Sequence, residues 1–203
     1  RTPVVMTGRS LLGEGLISLG FDDFEGARLA TEHLISLGHR KIAFIGGVEG
    51  SDKEFRQQDM RKDGYISALQ AAGLSSKTSW LTFADYTIQS GYYQAKQLLG
   101  DPRDAPTAIF CASDEMGFGA IMAAKDMGLR VPEDISVIGI DNHDMSEFFG
   151  LSTIDQRVRE QGKAAIEHLL GVLGDPKLEH TVNVTDEVEW PVHLRIRSST
   201  ARP

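Results

Sequence analysis

Cysteine is nearly absent from this chain. Cys111 stands alone among 203 residues, which excludes an intramolecular disulfide framework and points to a reducing compartment. Apolar runs are short and interrupted, nowhere approaching the roughly 20 residues that span a bilayer. Basic residues are outnumbered, 21 Lys plus Arg against 29 Asp plus Glu, and the net charge of -8 makes a poor general binder of phosphate backbones. Common enzyme motifs are missing too: no Walker phosphate loop, G-x-S-x-G elbow, H-E-x-x-H or C-x-x-C occurs. Gly46, Gly47 and Gly50 follow an apolar run but do not keep dinucleotide spacing. The six histidines (33, 39, 143, 168, 180 and 193) are scattered, so neither a metal nor another cofactor is expected. What is present is an ordinary globular composition, 41% hydrophobic and 25% charged.

The chain opens at Arg1 and enters almost at once into the apolar run 3–6. A start inside a strand pattern, with no charged leader or cleavage site, reads as the loss of an N-terminal portion. Short apolar runs at 4–7, 41–46, 80–83, 108–112 and 136–140 predict parallel strands covered on both faces. A sixth run, 182–192, alternates and holds Pro191, which places it near a sheet edge. Helical spacing links Ala27, Ala30, Leu34 and Leu37, with Asp22 or Asp23 as cap. Four further helices carry Ile66 and Leu69; Ile88, Tyr92, Ala95 and Leu99; residues 116–127; and Val158, Gly162, Ala165, Leu169 and Val172. Strands alternating with helices predict an α/β fold with a parallel sheet flanked by helices. Ligands in such sheets sit beyond the carboxyl ends of the strands.

Those ends carry the candidate chemistry. Cys111 closes a buried run without an adjacent base, the pattern of a packed thiol. The carboxylates Asp114, Glu115, Asp141 and Asp144 follow the fourth and fifth strands. They suit acid–base work or recognition of hydroxyls, and with no nucleophile or metal cluster beside them recognition is the expectation, not an enzyme. Arg61 fits either a helix's polar surface or a ligand fork. Tyr86 fits either a loop aromatic over the sheet edge or a ring stacked on a sugar.

Five blocks stand in one order along the chain: 33–47 (H-L-I-S-L-G-H-R-K-I-A-F-I-G-G), 61–65 (R-K-D-G-Y), 106–116 (P-T-A-I-F-C-A-S-D-E-M), 131–141 (V-P-E-D-I-S-V-I-G-I-D) and 152–156 (S-T-I-D-Q). Together with the closing R-S-S-T at 197–200 they resemble the lactose-repressor/galactose-repressor (LacI/GalR) family of bacterial transcription regulators. The resemblance implies a periplasmic-binding-protein-like fold of two α/β lobes with an effector in the cleft between them. It implies four segments here: 1–19, a remnant strand and crossover of the N-terminal lobe; 20–154, a complete C-terminal effector-binding lobe; 155–180, a crossover and helix of the N-terminal lobe; and 181–203, a final strand and tail returning to the C-terminal lobe. The remnant's apolar face is expected to be exposed, disordered or covered. Carried over by position, effector contacts fall on Arg61, Asp141, Ser113, Tyr86, Gln57 and Gln156. Ser113 replaces the family's usual Asn, Gly8 a common Asp, and Asn142 a frequent second acid, which leaves the ligand's identity open.

The implied function is that of the effector-sensing domain of a cytoplasmic repressor. It takes a sugar or related polyol, and an absent helix-turn-helix headpiece, not this chain, binds operator DNA. A transporter's solute receptor is the alternative. Helix 116–127 carries two apolar stripes where covering a sheet requires one. Met116, Phe118, Ile121 and Met122, with Phe148 and Phe149, are therefore expected at a homodimer interface, unless the helix is wedged between sheet and neighbouring helix.

Overall fold

The computed structural model describes residues 4–7, 17–47, 57–173 and 187–203. The chain divides into two compact units, one of residues 1–22 and 156–192, the other of 23–155 and 193–203. These joints at 22/23, 155/156 and 192/193 differ from the segment boundaries drawn from sequence, most clearly in dividing 181–203 between the units.

The larger unit holds a six-stranded sheet in the order β4-β3-β5-β6-β7-β9. Its strands are β3 (Ile42–Gly47), β4 (Leu81–Ala84), β5 (Ala108–Cys111), β6 (Ser136–Asp141), β7 (Ser152–Asp155) and β9 (His193–Arg195). All neighbours run parallel except β9, which pairs antiparallel with β7. Its helices are α1 (Asp23–Ser36), α2 (Gln57–Ala71), α3 (Ile88–Leu99) and α4 (Asp114–Asp126). Helix α1 packs with α2 and α3 with α4, each pair against the sheet. Strands β3 and β5 are buried throughout, which is what their unbroken apolar runs require. Phe44 stacks on Tyr65 at 5.1 Å and meets Phe110 at 5.2 Å. The Tyr65 hydroxyl donates to the Ile42 carbonyl at 2.8 Å, so the ring's polar end is satisfied inside the core.

The smaller unit pairs β1 (Val5–Thr7), β2 (Ile17–Phe21) and β8 (Glu187–Trp190) in parallel, in the order β1-β2-β8. Helix α5 (Val158–Val172) packs on β1 and β2. Val158, Ile166 and Leu170 on it, and Leu173 just past its end, are exposed.

Three strands escaped the sequence reading. Residues 17–21 carry Gly20 and Ser18, and 152–155 are mostly polar, so neither reads as an apolar run. The expected strand 182–192 holds β8 alone, and β9 follows it beyond Pro191, which lacks the N–H a continuous ladder needs; residues 182–186 fall outside the described ones. The closing motif explains how β7 is buried. Ser199 accepts from the Ser152 amide at 2.8 Å and donates to the Val137 carbonyl at 2.6 Å. Thr200 meets both Ser152 Oγ and His33 Nε2 at 2.9 Å.

Candidate functional site

The carboxyl ends of β3, β4, β5 and β6 gather most of the candidate residues. Arg61, on α2, is not a surface side chain: it is only 3% exposed. Its Nε donates to Asp23 Oδ1 at 2.6 Å and its Nη1 to the Ala112 carbonyl just after β5. Asp141 and Tyr86 also lie within its electrostatic reach. Asp23, expected as a helix cap, is the first residue of α1 and turns its carboxylate to the guanidinium. Sequence offered no sign of that partnership beyond two acids at the helix start.

Asp141 ends β6 with φ +133°, and Asn142 follows at +55°. Tyr86, two residues past β4, sits at +64°. Three consecutive or facing non-glycine residues in the left-handed region represent strain, which folds concentrate where side chains must be aimed. Burial pushes the Asp141 carboxyl up to about 7 against the counteracting charge of Arg61, with Asp114 and Glu115 adding to the rise. The Tyr86 ring lies against Gly47: a Cβ there would come within 2.1 Å of its hydroxyl. Only glycine leaves that room, and the Gly46-Gly47 pair is its signature in the sequence. The Tyr86 hydroxyl is buried with no hydrogen-bond partner among the described residues. Burial raises its pKa and the Arg61 charge opposes the rise.

Ser113 is buried and caps α4, accepting from the Met116 amide at 3.3 Å. Its acceptor capacity serves the helix, leaving the O–H to donate. Gln57 opens α2, but its side chain falls outside the described residues, as does Gly8. Gln156 belongs to the smaller unit, where its carbonyl accepts from Gln161 Nε2 at 2.6 Å. The structure thus joins Arg61, Asp141 and Tyr86, with Ser113 on the loop after β5, and adds Asp23 and Gly47.

The thiol at this edge is not poised for chemistry. Cys111 is fully buried, and burial followed by the Asp114 charge pushes its thiol far up, away from thiolate formation. Among the described residues no cluster of His, Cys, Asp or Glu could hold a metal ion, and no helix is long and apolar enough to cross a membrane.

The proposed dimer residues separate sharply. Met116 and Phe118 are fully buried, so they present nothing to a partner. Phe118 stacks on Phe149 at 4.6 Å and meets His143 edge-on. The second stripe of α4 is thus partly covered from within, by the turn after β6. Met122 is 45% exposed and Phe148 89%, while Ile121 and Phe149 are half-buried.

Known proteins share this architecture. The family model for the periplasmic binding protein-like domain matches residues 31–200. The probable HTH-type transcriptional repressor ExuR of Bacillus subtilis is 33% identical over 98% of this chain and 58% of its own length. The HTH-type transcriptional repressor PurR of Erwinia tasmaniensis is 42% identical over 72% of this chain and 42% of its own. The chain therefore spans about half the length of these curated relatives. Among solved structures, a LacI family transcriptional regulator from Enterococcus faecium with bound ribose superposes with a TM-score of 0.84 and 30% identity, over 99% of this chain and 72% of that one. A dimeric lac repressor gives 0.82 and 30%, over 98% and 69%. On the match across residues 31–200 and on these neighbours, the chain belongs to the periplasmic binding protein-like domain family, within its LacI-family members.

Proposed function

We propose that this chain is the effector-sensing domain of a cytoplasmic LacI-family transcription repressor. It binds a small, hydroxyl-bearing, sugar-like molecule beyond the carboxyl ends of β3 to β6. The observation that carries the reading is the buried Tyr86 hydroxyl, without a partner among the described residues, beside the Arg61–Asp23 pair and the Asp141 carboxylate. A buried hydroxyl left unsatisfied costs about 1–3 kcal/mol, a debt that a ligand oxygen relieves. An Arg fork, a carboxylate and a phenol are also the donors and acceptors that a polyol demands. Gln57 is a proposed further contact in the intact protein. That the relatives are repressors, one neighbour holding ribose, supports this reading over that of a transporter's solute receptor.

Operator DNA is assigned to a headpiece outside this chain: the relatives are HTH-type repressors of which this chain spans about half, and a net charge of -8 makes the chain a poor general binder of phosphate backbones. Self-association is assigned to Met122 and Phe148 with the half-buried Ile121 and Phe149. The lac repressor neighbour, itself described as dimeric, supports a homodimer.

A thermal-shift screen of sugars, polyols and nucleobases tests the proposal, since a ligand that binds the folded state raises its melting temperature. A hit that stabilises wild type but not Asp141→Ala upholds it. A hit that stabilises both equally overturns the site.

A further inference from the structure

Asp114 is the most deeply buried carboxylate of the larger unit, fully covered yet used neither as an ion pair nor in ligand contact above. Three donors converge on it. Oδ1 accepts from Thr153 Oγ1 on β7 at 2.5 Å, and Oδ2 accepts from Ser146 Oγ at 2.6 Å and from the His143 amide at 2.9 Å. Its own amide donates to Asp141 Oδ2 at 3.3 Å. Asn142, the second left-handed residue, donates its amide to the same Thr153 hydroxyl at 3.2 Å. The arrangement is made room for by Gly139 on β6, where a Cβ would come within 2.2 Å of Asp114 Oδ1.

From the other side Arg197 braces the same turn, donating to Asn142 Oδ1 at 2.7 Å and to the Leu151 carbonyl at 2.8 Å. Charged neighbours are thereby distributed on every side: Arg61 and Glu115 toward Asp141, Arg197 toward Asp114. The segment so held, 142–151, is the one that carries Phe148 at the surface and Phe149 against Phe118.

We propose that Asp114 is a positioning residue that ties the ligand-facing Asp141 to the 142–151 turn, so that a change at the Asp141 carboxylate is transmitted to the exposed Phe148 surface. Its means is the two-ended geometry of one residue: the backbone amide holds Asp141 while the carboxylate holds Ser146, His143 and Thr153. A residue that merely filled the space above Gly139 needs neither end. The proposal rests on reading Asp141 as the ligand-facing acid, and its test uses no ligand, so failure of that reading is found separately, in the thermal-shift screen.

The experiment is hydrogen exchange on the 203-residue chain, followed at the Phe149, Gly150 and Leu151 amides, which donate to the Met145, Glu147 and Ser146 carbonyls. Asp141→Asn alters the site end, and Ser146→Ala cuts the tie to the turn. Asp141→Asn in wild type is expected to speed exchange at these amides about tenfold. In the Ser146→Ala background the same substitution is expected to change them less than twofold. Non-additivity of this kind is what coupling means, whereas a merely structural role gives additive effects. Asp114→Asn, which keeps the shape and removes the charge, serves as a second background with the same expected outcome. Unchanged exchange at Ile109 and Phe110 verifies that each variant is folded. Additive effects in both backgrounds, or turn amides indifferent to Asp141→Asn, overturn the proposal.

Discussion

Replacing Arg61 by methionine isolates what its charge does. The guanidinium is buried, and three groups depend on it: Asp23 through a 2.6 Å contact, the Ala112 carbonyl, and Asp141 electrostatically. Methionine keeps the volume of the stem but supplies no donor. Removing one partner of a buried ion pair costs about 3–5 kcal/mol, because a buried charge loses its counter-charge. The orphaned carbonyl adds about 1–3 kcal/mol, although the terms share one site and fall short of their sum.

The sign with pH follows from the carboxylates. Arg61 normally lowers the Asp141 pKa against its burial, so without Arg61 that acid moves further up. The penalty is therefore full when the carboxylates are ionised and is relieved as pH falls and they take up protons. Urea unfolding at pH 8 is expected to show a loss of about 3–5 kcal/mol in Arg61→Met, clearly smaller at pH 5. A loss below about 1 kcal/mol, or one independent of pH, would refute the argument and return Arg61 to the status of a surface side chain.

Asp141→Asn removes a group whose folded pKa is raised from 3.8 to about 7. The wild-type acid thus favours the folded state below pH ~4 and loses that advantage as pH rises through ~7. Relative to Asp141→Asn, wild type should lose on the order of 2–4 kcal/mol between pH 4 and pH 8; a flat difference by chemical denaturation contradicts the raised pKa. Gly47→Ala places a Cβ within 2.1 Å of the Tyr86 hydroxyl, so the ring must leave; tyrosine fluorescence anisotropy and crystallography should both record the move, and an unmoved ring refutes it. Met122→Asp with Phe148→Asp should abolish self-association in sedimentation equilibrium; a dimer that persists unchanged places the interface elsewhere.

The central strands β3, β5 and β6 are legible because a strand covered on both faces must be apolar at every position. Strand β7 was not, since Ser152, Thr153 and Asp155 are buried as hydrogen-bonding residues. Their partners are the tail at 197–200, the Asp114 carboxylate and Arg195, all far off in sequence. Arg61 shows the same limit: its burial is set by Asp23, 38 residues away. For α4 the wheel of side chains separates two apolar stripes. It could not reveal that the turn carrying Phe149 returns to cover Phe118, which removes Phe118 from the surface and leaves Met122 and Phe148 on it.

The central claim is that a small hydroxyl-bearing effector binds where Arg61, Tyr86 and Asp141 converge. Amide chemical-shift mapping, titrating the best sugar or polyol from the thermal screen into the isotope-labelled chain, tests it most directly. Shifts concentrated at residues 85–87, 112–115 and 141–143, and lost in Asp141→Ala, are the predicted result. Saturable shifts centred away from those three loops, or undiminished in Asp141→Ala, would contradict it.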